Sequence, residues 1–251
     1  MIQLDRLRSH LRLLFPENGL NDHCTNGLQL EGKREIVRIA TAVSADLATI
    51  QAAVEADIDA LIVHHGLFWH KDSHVIEGVK KQKISLLLQH GISLFGYHLP
   101  LDLHPTIGNN WKAACDLGWT DLEPFGFYNG FALGVKGCLV STSRAALKTA
   151  LENYYGNHAV IAPGGKEIIE TIGLISGGAH RSIIEAAREG LDAFVTGSFD
   201  EPVWSQAYEE KINFFALGHT ATEKVGPKAL AKQLAKDLKC SAHFIETKNP
   251  F

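Results

Sequence analysis

Apolar residues in this chain gather in short unbroken runs, separated by segments with helical spacing. Residues 39–61 read as an apolar strand, a small-residue turn at Ser44-Ala45-Asp46, a helix with Leu47, Ile50 and Val54 on one side, and a second strand over Ala60-Leu61-Ile62-Val63. Residues 172–194 repeat that order, with a turn at Gly177-Gly178-Ala179-His180, a helix carrying Ile183, Ile184 and Ala187, and a strand over Ala193-Phe194-Val195. Intervals of three and four mark the helices, and continuous apolar runs mark strands covered on both faces.

The two segments superpose without a gap at an offset of 133 residues: Ile39 meets Ile172, Ile50 meets Ile183, Ala53 meets Ala186, and Asp59-Ala60 meets Asp192-Ala193. A looser likeness joins residues 92–102 to residues 212–223, both apolar strands ending in His-bearing turns. Strands alternating with helices predict mostly parallel or mixed α/β sheets flanked by helices. The chain therefore reads as two similar α/β halves, roughly 1–125 and 126–251. Chance likeness between two ordinary strand-helix-strand units is the competing explanation.

Ligand sites in such sheets lie beyond the carboxyl ends of the strands. The run Asp59–Val63 leads into His64-His65-Gly66, where Gly66 is expected to let the backbone turn and aim both rings at one cleft. The run Ile92–Phe95 leads into Gly96-Tyr97-His98-Leu99-Pro100-Leu101-Asp102, with a helix expected from Trp111. The run Ile212–Leu217 leads into Gly218-His219, with Glu223 four residues on, a spacing that puts both side chains on one helix face.

Each signal has an ordinary explanation when taken singly. Paired histidines can be hydrogen-bonded loop residues, Asp102 a turn or cap residue, and Glu223 a helix-start acid. Together they supply three imidazoles and two carboxylates, a donor set for transition ions such as Zn, Mn, Fe, Co or Ni rather than Ca or Mg. His98 is either a proton carrier or a hydrogen-bonding neighbour of that set. Ala162-Pro163-Gly164-Gly165-Lys166 is a weak phosphate cradle and reads equally as a plain turn. No Walker-type loop occurs in the sequence.

Composition narrows the field a little. The net charge of −4 and the absence of a Lys/Arg run argue against an extended nucleic-acid surface. The four cysteines, Cys24, Cys115, Cys138 and Cys240, are scattered, which is expected of reduced thiols in the cytoplasm. The amphipathic start with Arg6, Arg8 and Arg12 does not read as a secretory signal, and no run reaches membrane-spanning length.

The runs CTNGLQLEG (24–32), DALIVHHGLFW (59–69), GYHLPLDLHPTIGNN (96–110), DAFVTG (192–197) and GHTATEKVG (218–226) carry a family resemblance. The chain resembles the GTP cyclohydrolase 1 type 2 homologs, also called the NGG-interacting-factor-three-like or YbgI-type family. That resemblance implies two divalent ions per chain, held by His64, His65, Asp102, His219 and Glu223, with Glu223 bridging and His98 close by. It implies that the two similar α/β halves are intertwined, and that the chain forms a toroidal homohexamer with its metal sites facing an internal cavity. It also implies a hydrolase acting on a nucleotide-like small molecule, by opening of the guanine imidazole ring of GTP with loss of formate. Alternatives are a metal-dependent phosphoesterase or damaged-nucleotide hydrolase, and a non-catalytic metal-bearing ring that binds partners or DNA.

Overall fold

The computed structural model describes residues 1–17 and 19–251. The chain opens with β1 (Ile2–Gln3), α1 (Leu4–Leu14), β2 (Gly27–Leu30), β3 (Glu35–Ile36), β4 (Arg38–Ser44), α2 (Leu47–Glu55), β5 (Ala60–His65), α3 (Gly78–His90) and β6 (Ser93–Gly96). It continues through α4 (Leu99–Leu103), α5 (Asn109–Asp116), β7 (Thr120–Tyr128), β8 (Phe131–Ser143), α6 (Arg144–Tyr155), β9 (Val160–Pro163) and β10 (Ile168–Leu174). A short 3-10 turn (His180–Ser182) leads into α7 (Ile183–Arg188), β11 (Ala193–Thr196), α8 (Glu201–Glu209), β12 (Asn213–Ala216), α9 (His219–Glu223), α10 (Val225–Leu238) and β13 (Ser241–Phe244). No helix among the described residues is long and apolar enough to cross a membrane.

Two compact units divide the chain: Met1–Leu101 with Gly226–Lys248, and Asp102–Val225 with Asn249–Phe251. The first holds a five-stranded mixed sheet, ordered β13-β4-β5-β6-β2, and a two-stranded β1-β3 ribbon. The second holds a six-stranded mixed sheet, ordered β7-β8-β10-β11-β12-β9. Both are α/β layers, as the alternation of runs predicts.

The 133-residue offset recurs in the pairing. Ile39 pairs with Ala60 across β4 and β5, and Ile172 pairs with Ala193 across β10 and β11, both parallel. A third parallel strand joins each pair, Ala60 against Ser93 and Ala193 against Asn213, here at an offset of 120 residues. Each trio is edged by an antiparallel strand, β2 on β6 and β9 on β12.

In the second unit, neighbouring strand residues serve opposite faces. Phe194 and Phe214 pack with Phe125 and Ile183, while Val195 and Phe215 pack with Leu147, Leu151 and Ile172. Both faces are buried, so the strands need no polar alternation. In the first unit Ile50 of α2 and Leu87 of α3 pack against Leu61, Val63 and Leu94 of the sheet.

One polar device is duplicated with the sheets. Asp59, at the start of β5, accepts from the backbone N–H groups of Val37 (2.8 Å) and Arg38 (3.0 Å), and Lys33 Nζ lies 3.4 Å away. Asp192, at the start of β11, accepts from Glu170 (2.9 Å) and Thr171 (3.0 Å), and Lys166 Nζ lies 3.0 Å away. Every member of one set is 133 residues from its counterpart in the other. Lys166 is thus bound into a strand-end ion pair, which accounts for it without a phosphate.

Burial alone would raise both carboxyls, but the backbone N–H bonds and the facing lysines outweigh it and hold them below the ordinary value. A depressed folded value means that the stabilisation is complete above the ordinary carboxylate pKa of 3.8 and is lost as pH falls through the lower folded value. Asp59→Ala and Asp192→Ala are each expected to cost about 1–3 kcal/mol at neutral pH by leaving two strand N–H groups unsatisfied. Denaturant titrations should show that gap begin to close below about pH 4. A loss within experimental error of zero at neutral pH would contradict the assignment.

Candidate metal centre

The first group of donors sits at the end of the first unit's sheet. His64 and His65 are the last two residues of β5, and His98 follows β6. Their ring centroids lie 4.6 Å (His64–His65), 5.0 Å (His64–His98) and 5.7 Å (His65–His98) apart. Each ring offers a nitrogen within 4.8 Å of the other two, so the trio could hold a metal ion. Its donors are all imidazoles, which suits Zn, Cu, Fe or Ni.

Each ring is held at Nδ1. His64 Nδ1 lies 3.2 Å from the Tyr97 carbonyl oxygen, His65 Nδ1 3.0 Å from Ser44 Oγ, and His98 Nδ1 2.6 Å from Asp22 Oδ1. A carbonyl or carboxylate oxygen only accepts, so the rings of His64 and His98 donate through Nδ1–H. A serine hydroxyl can donate or accept, so the proton of His65 can sit on either nitrogen. Anchoring of one imidazole nitrogen while the other meets the cation is the usual arrangement around ligating histidines.

The sequence reading assigns a turn to Gly66. β5 ends at His65, so the chain leaves the strand at Gly66, and it does so without a positive φ. The missing Cβ of Gly66 makes room for Gln29, whose Nε2 would lie 2.2 Å from a Cβ at that position. Gln29 accepts from the Leu67 N–H at 2.8 Å and donates to the Thr25 carbonyl at 2.6 Å, tying the loop after β5 to the segment before β2.

The second unit carries the remaining predicted donors. His219 and Glu223 are the first and last residues of α9, with Nε2 and Oε1 3.1 Å apart. His219 is also held at Nδ1, 3.2 Å from Ser198 Oγ. Ser198 stands 21 residues before His219, as Ser44 stands before His65. Gly177 has φ +67°, and a Cβ there would come within 2.2 Å of Glu223 Oε1. A glycine is therefore required both by the backbone and by the carboxylate beside it. Asp102, near the end of α4, is buried and gripped through Oδ1 by Asn109 Nδ2 (2.8 Å) and Ser176 Oγ (3.0 Å). A cavity of about 410 Å³ borders His219 and Ser198, and Asn157, Phe199 and Phe251 also line it.

Asp22 escapes the sequence reading. It lies in a polar stretch, two residues before the CTNGLQLEG run, and nothing in its spacing separates it from a turn residue. In the fold its buried carboxylate collects five donors: the N–H groups of His23, Cys24 and Leu99, Asn26 Nδ2, and His98. Burial would raise its pKa, but the hydrogen bond and charge of His98, with Asn26 and the Cys24 N–H, hold it far below the usual carboxylate range.

An α/β protein with imidazole and carboxylate donors at its strand ends is the class defined by these features. The profile of the Duf34/NIF3 family (NGG1p interacting factor 3) matches residues 2–250, and the chain belongs to that family. It is 47% identical over 249 residues to a GTP cyclohydrolase 1 type 2 homolog of Chlamydia pneumoniae, covering 98% of each chain. It is 49% identical over 242 residues to the protein of the same name from Chlamydia muridarum, covering 95% of each. Among solved structures it is similar to the protein ybgI, of unknown function, with a TM-score of 0.92 and 34% identity over 100% of both chains.

If the serines orient ligating rings, Ser44→Ala and Ser198→Ala should each weaken Zn(II) binding by about 10–100-fold. Competition against a chelator measures this, and affinities within about twofold of wild type would contradict the role assigned to them.

Proposed function

We propose that the chain is a metal-dependent hydrolase in which His64, His65, Asp102, His219 and Glu223 would hold two divalent ions. The observation that carries this reading is the anchoring of His64, His65 and His219 at Nδ1, which suits Nε2 of each ring for a cation. The buried Asp102 and Glu223 supply anionic oxygens to offset the charge of the ions.

Two bound ions would supply an acidified water and a clamp for a substrate oxygen. The chain's own residues have distinct tasks in this scheme. The serines and the Tyr97 carbonyl orient the rings. Asn109 and Ser176 aim the Asp102 carboxylate. His98 takes up the proton released during attack. The cavity beside His219, bordered by Phe199 and Asn157, has the mixed apolar and polar lining suited to a planar heterocycle.

The substrate class follows from the resemblance and from the name shared by the relatives: hydrolytic opening of the guanine imidazole ring of GTP at C8, with release of formate. In the same reading the active form is a ring of six copies. It works in the cytoplasm, where the four free cysteines stay reduced.

The test is turnover by purified full-length protein loaded with Mn(II) or Zn(II), assayed for formate from GTP alongside a panel of phosphodiesters and oxidised nucleotides. GTP-dependent formate release should be abolished in His64→Ala and reduced about 10²–10⁴-fold in His98→Ala. Turnover of a phosphodiester alone would move the reading to a phosphoesterase. Activity unchanged in His64→Ala, or no turnover of any substrate by protein carrying its metals, would overturn it.

A further inference from the structure

Asp22 and His98 form a unit that the ligand set does not require. The ring of His98 is placed from two sides by one short segment. Its Nδ1 lies 2.6 Å from Asp22 Oδ1, and its backbone N–H donates to Asn26 Oδ1 at 2.9 Å. Asn26 Nδ2 in turn donates to Asp22 Oδ2 at 2.9 Å, closing the loop of contacts. The next residue, Leu99, also donates its N–H to Asp22 Oδ2 at 2.9 Å. The His23 and Cys24 N–H groups approach Oδ1 at 2.6 Å and 3.2 Å.

Those partners determine the chemistry of the ring. Four of the five groups around the carboxylate are N–H donors with no acceptor capacity, so Asp22 faces them as an acceptor on both oxygens. The fifth, His98 Nδ1, must then carry a proton. A neutral His98 consequently keeps its lone pair on Nε2, on the side of the ring away from Asp22. That ring lies 5.0 Å from His64 and 5.7 Å from His65 by centroids, and Trp69 packs edge-on against it at 5.1 Å.

We propose that Asp22 is a positioning residue that holds His98 as the Nδ1–H tautomer, so that Nε2 meets the neighbouring site as a proton acceptor and not as a donor. This deepens the reading of His98 as the proton acceptor in hydrolysis and rests on it for its catalytic meaning. The tautomer itself is independent of any metal or substrate. In the reaction, a water O–H bond would break and the proton would pass to Nε2, leaving an imidazolium whose Nδ1–H still faces the Asp22 carboxylate. No oxidant or co-reactant is needed.

The experiment is long-range ¹H–¹⁵N correlation of the histidine rings in metal-free, full-length protein at about pH 10, well above the ordinary imidazole value of ~6.5. Wild-type His98 is expected to carry its proton on Nδ1. A proton on Nε2 in the wild type overturns the proposal without recourse to any variant. Asp22→Asn places an amide among N–H donors and should release the lock, so that the Nε2–H form becomes the major one. Asn26→Ala removes one donor and leaves the Asp22–His98 contact, so the Nδ1–H form should persist. A folded Asp22→Asn protein with the wild-type tautomer also overturns the proposal. Zn(II) binding by the wild type, measured by calorimetry on the same sample, tests the metal reading separately. Its failure would leave the tautomer result to decide this inference alone.

Discussion

An imidazole can serve a cation, or accept a proton, only through a nitrogen whose lone pair is available, and the other nitrogen decides which one that is. This constraint organises the strand ends of the protein. Tyr97, Ser44, Asp22 and Ser198 each hold one Nδ1. The holders differ in kind. The carbonyl of Tyr97 and the carboxylate of Asp22 accept only, so His64 and His98 each carry a proton on Nδ1. The two serines can reverse their role, so His65 and His219 can exchange a proton for a cation without moving their anchors.

The sheets that carry these anchors are two versions of one frame. Two parallel strands and an antiparallel edge strand recur at an offset of 133, a third parallel strand recurs at an offset of 120, and the Asp59 and Asp192 strand-end ties recur with them. Burial of both sheet faces makes the shared frame tolerant of change at the strand ends, where the two copies diverge. His64 and His65 have Gly197 and Ser198 as counterparts in the offset. The second copy thus lacks the paired rings and has instead, in Ser198 at the place of His65, a hydroxyl that holds His219. A duplicated fold carries different donors in its two copies.

Much of the frame is legible in the sequence because its signals are local. The runs at 60–63 and 193–195 are strands, and the helical spacing of Leu47, Ile50 and Val54 falls in α2. The candidate histidines stand out because two adjacent rings after an apolar run are unusual. What stays hidden depends on contacts between distant segments. Nothing near Ser241–Phe244 announces that β13 pairs with β4, some two hundred residues earlier. Asp22 resembles any turn aspartate until His98, 76 residues later, arrives beside it. Gly66 reads as a turn glycine because glycine more often relieves backbone than makes space, and only the Gln29 side chain shows which applies.

If the proposed donors hold one pair of ions, those ions must sense each other magnetically. Electron paramagnetic resonance of protein loaded with two Mn(II) per chain tests this most directly. Ions about 3.5–4 Å apart are expected to give an exchange-coupled signal, and Glu223→Gln should break it into the spectrum of isolated Mn(II). Only isolated Mn(II) in the fully loaded wild type would contradict the shared centre.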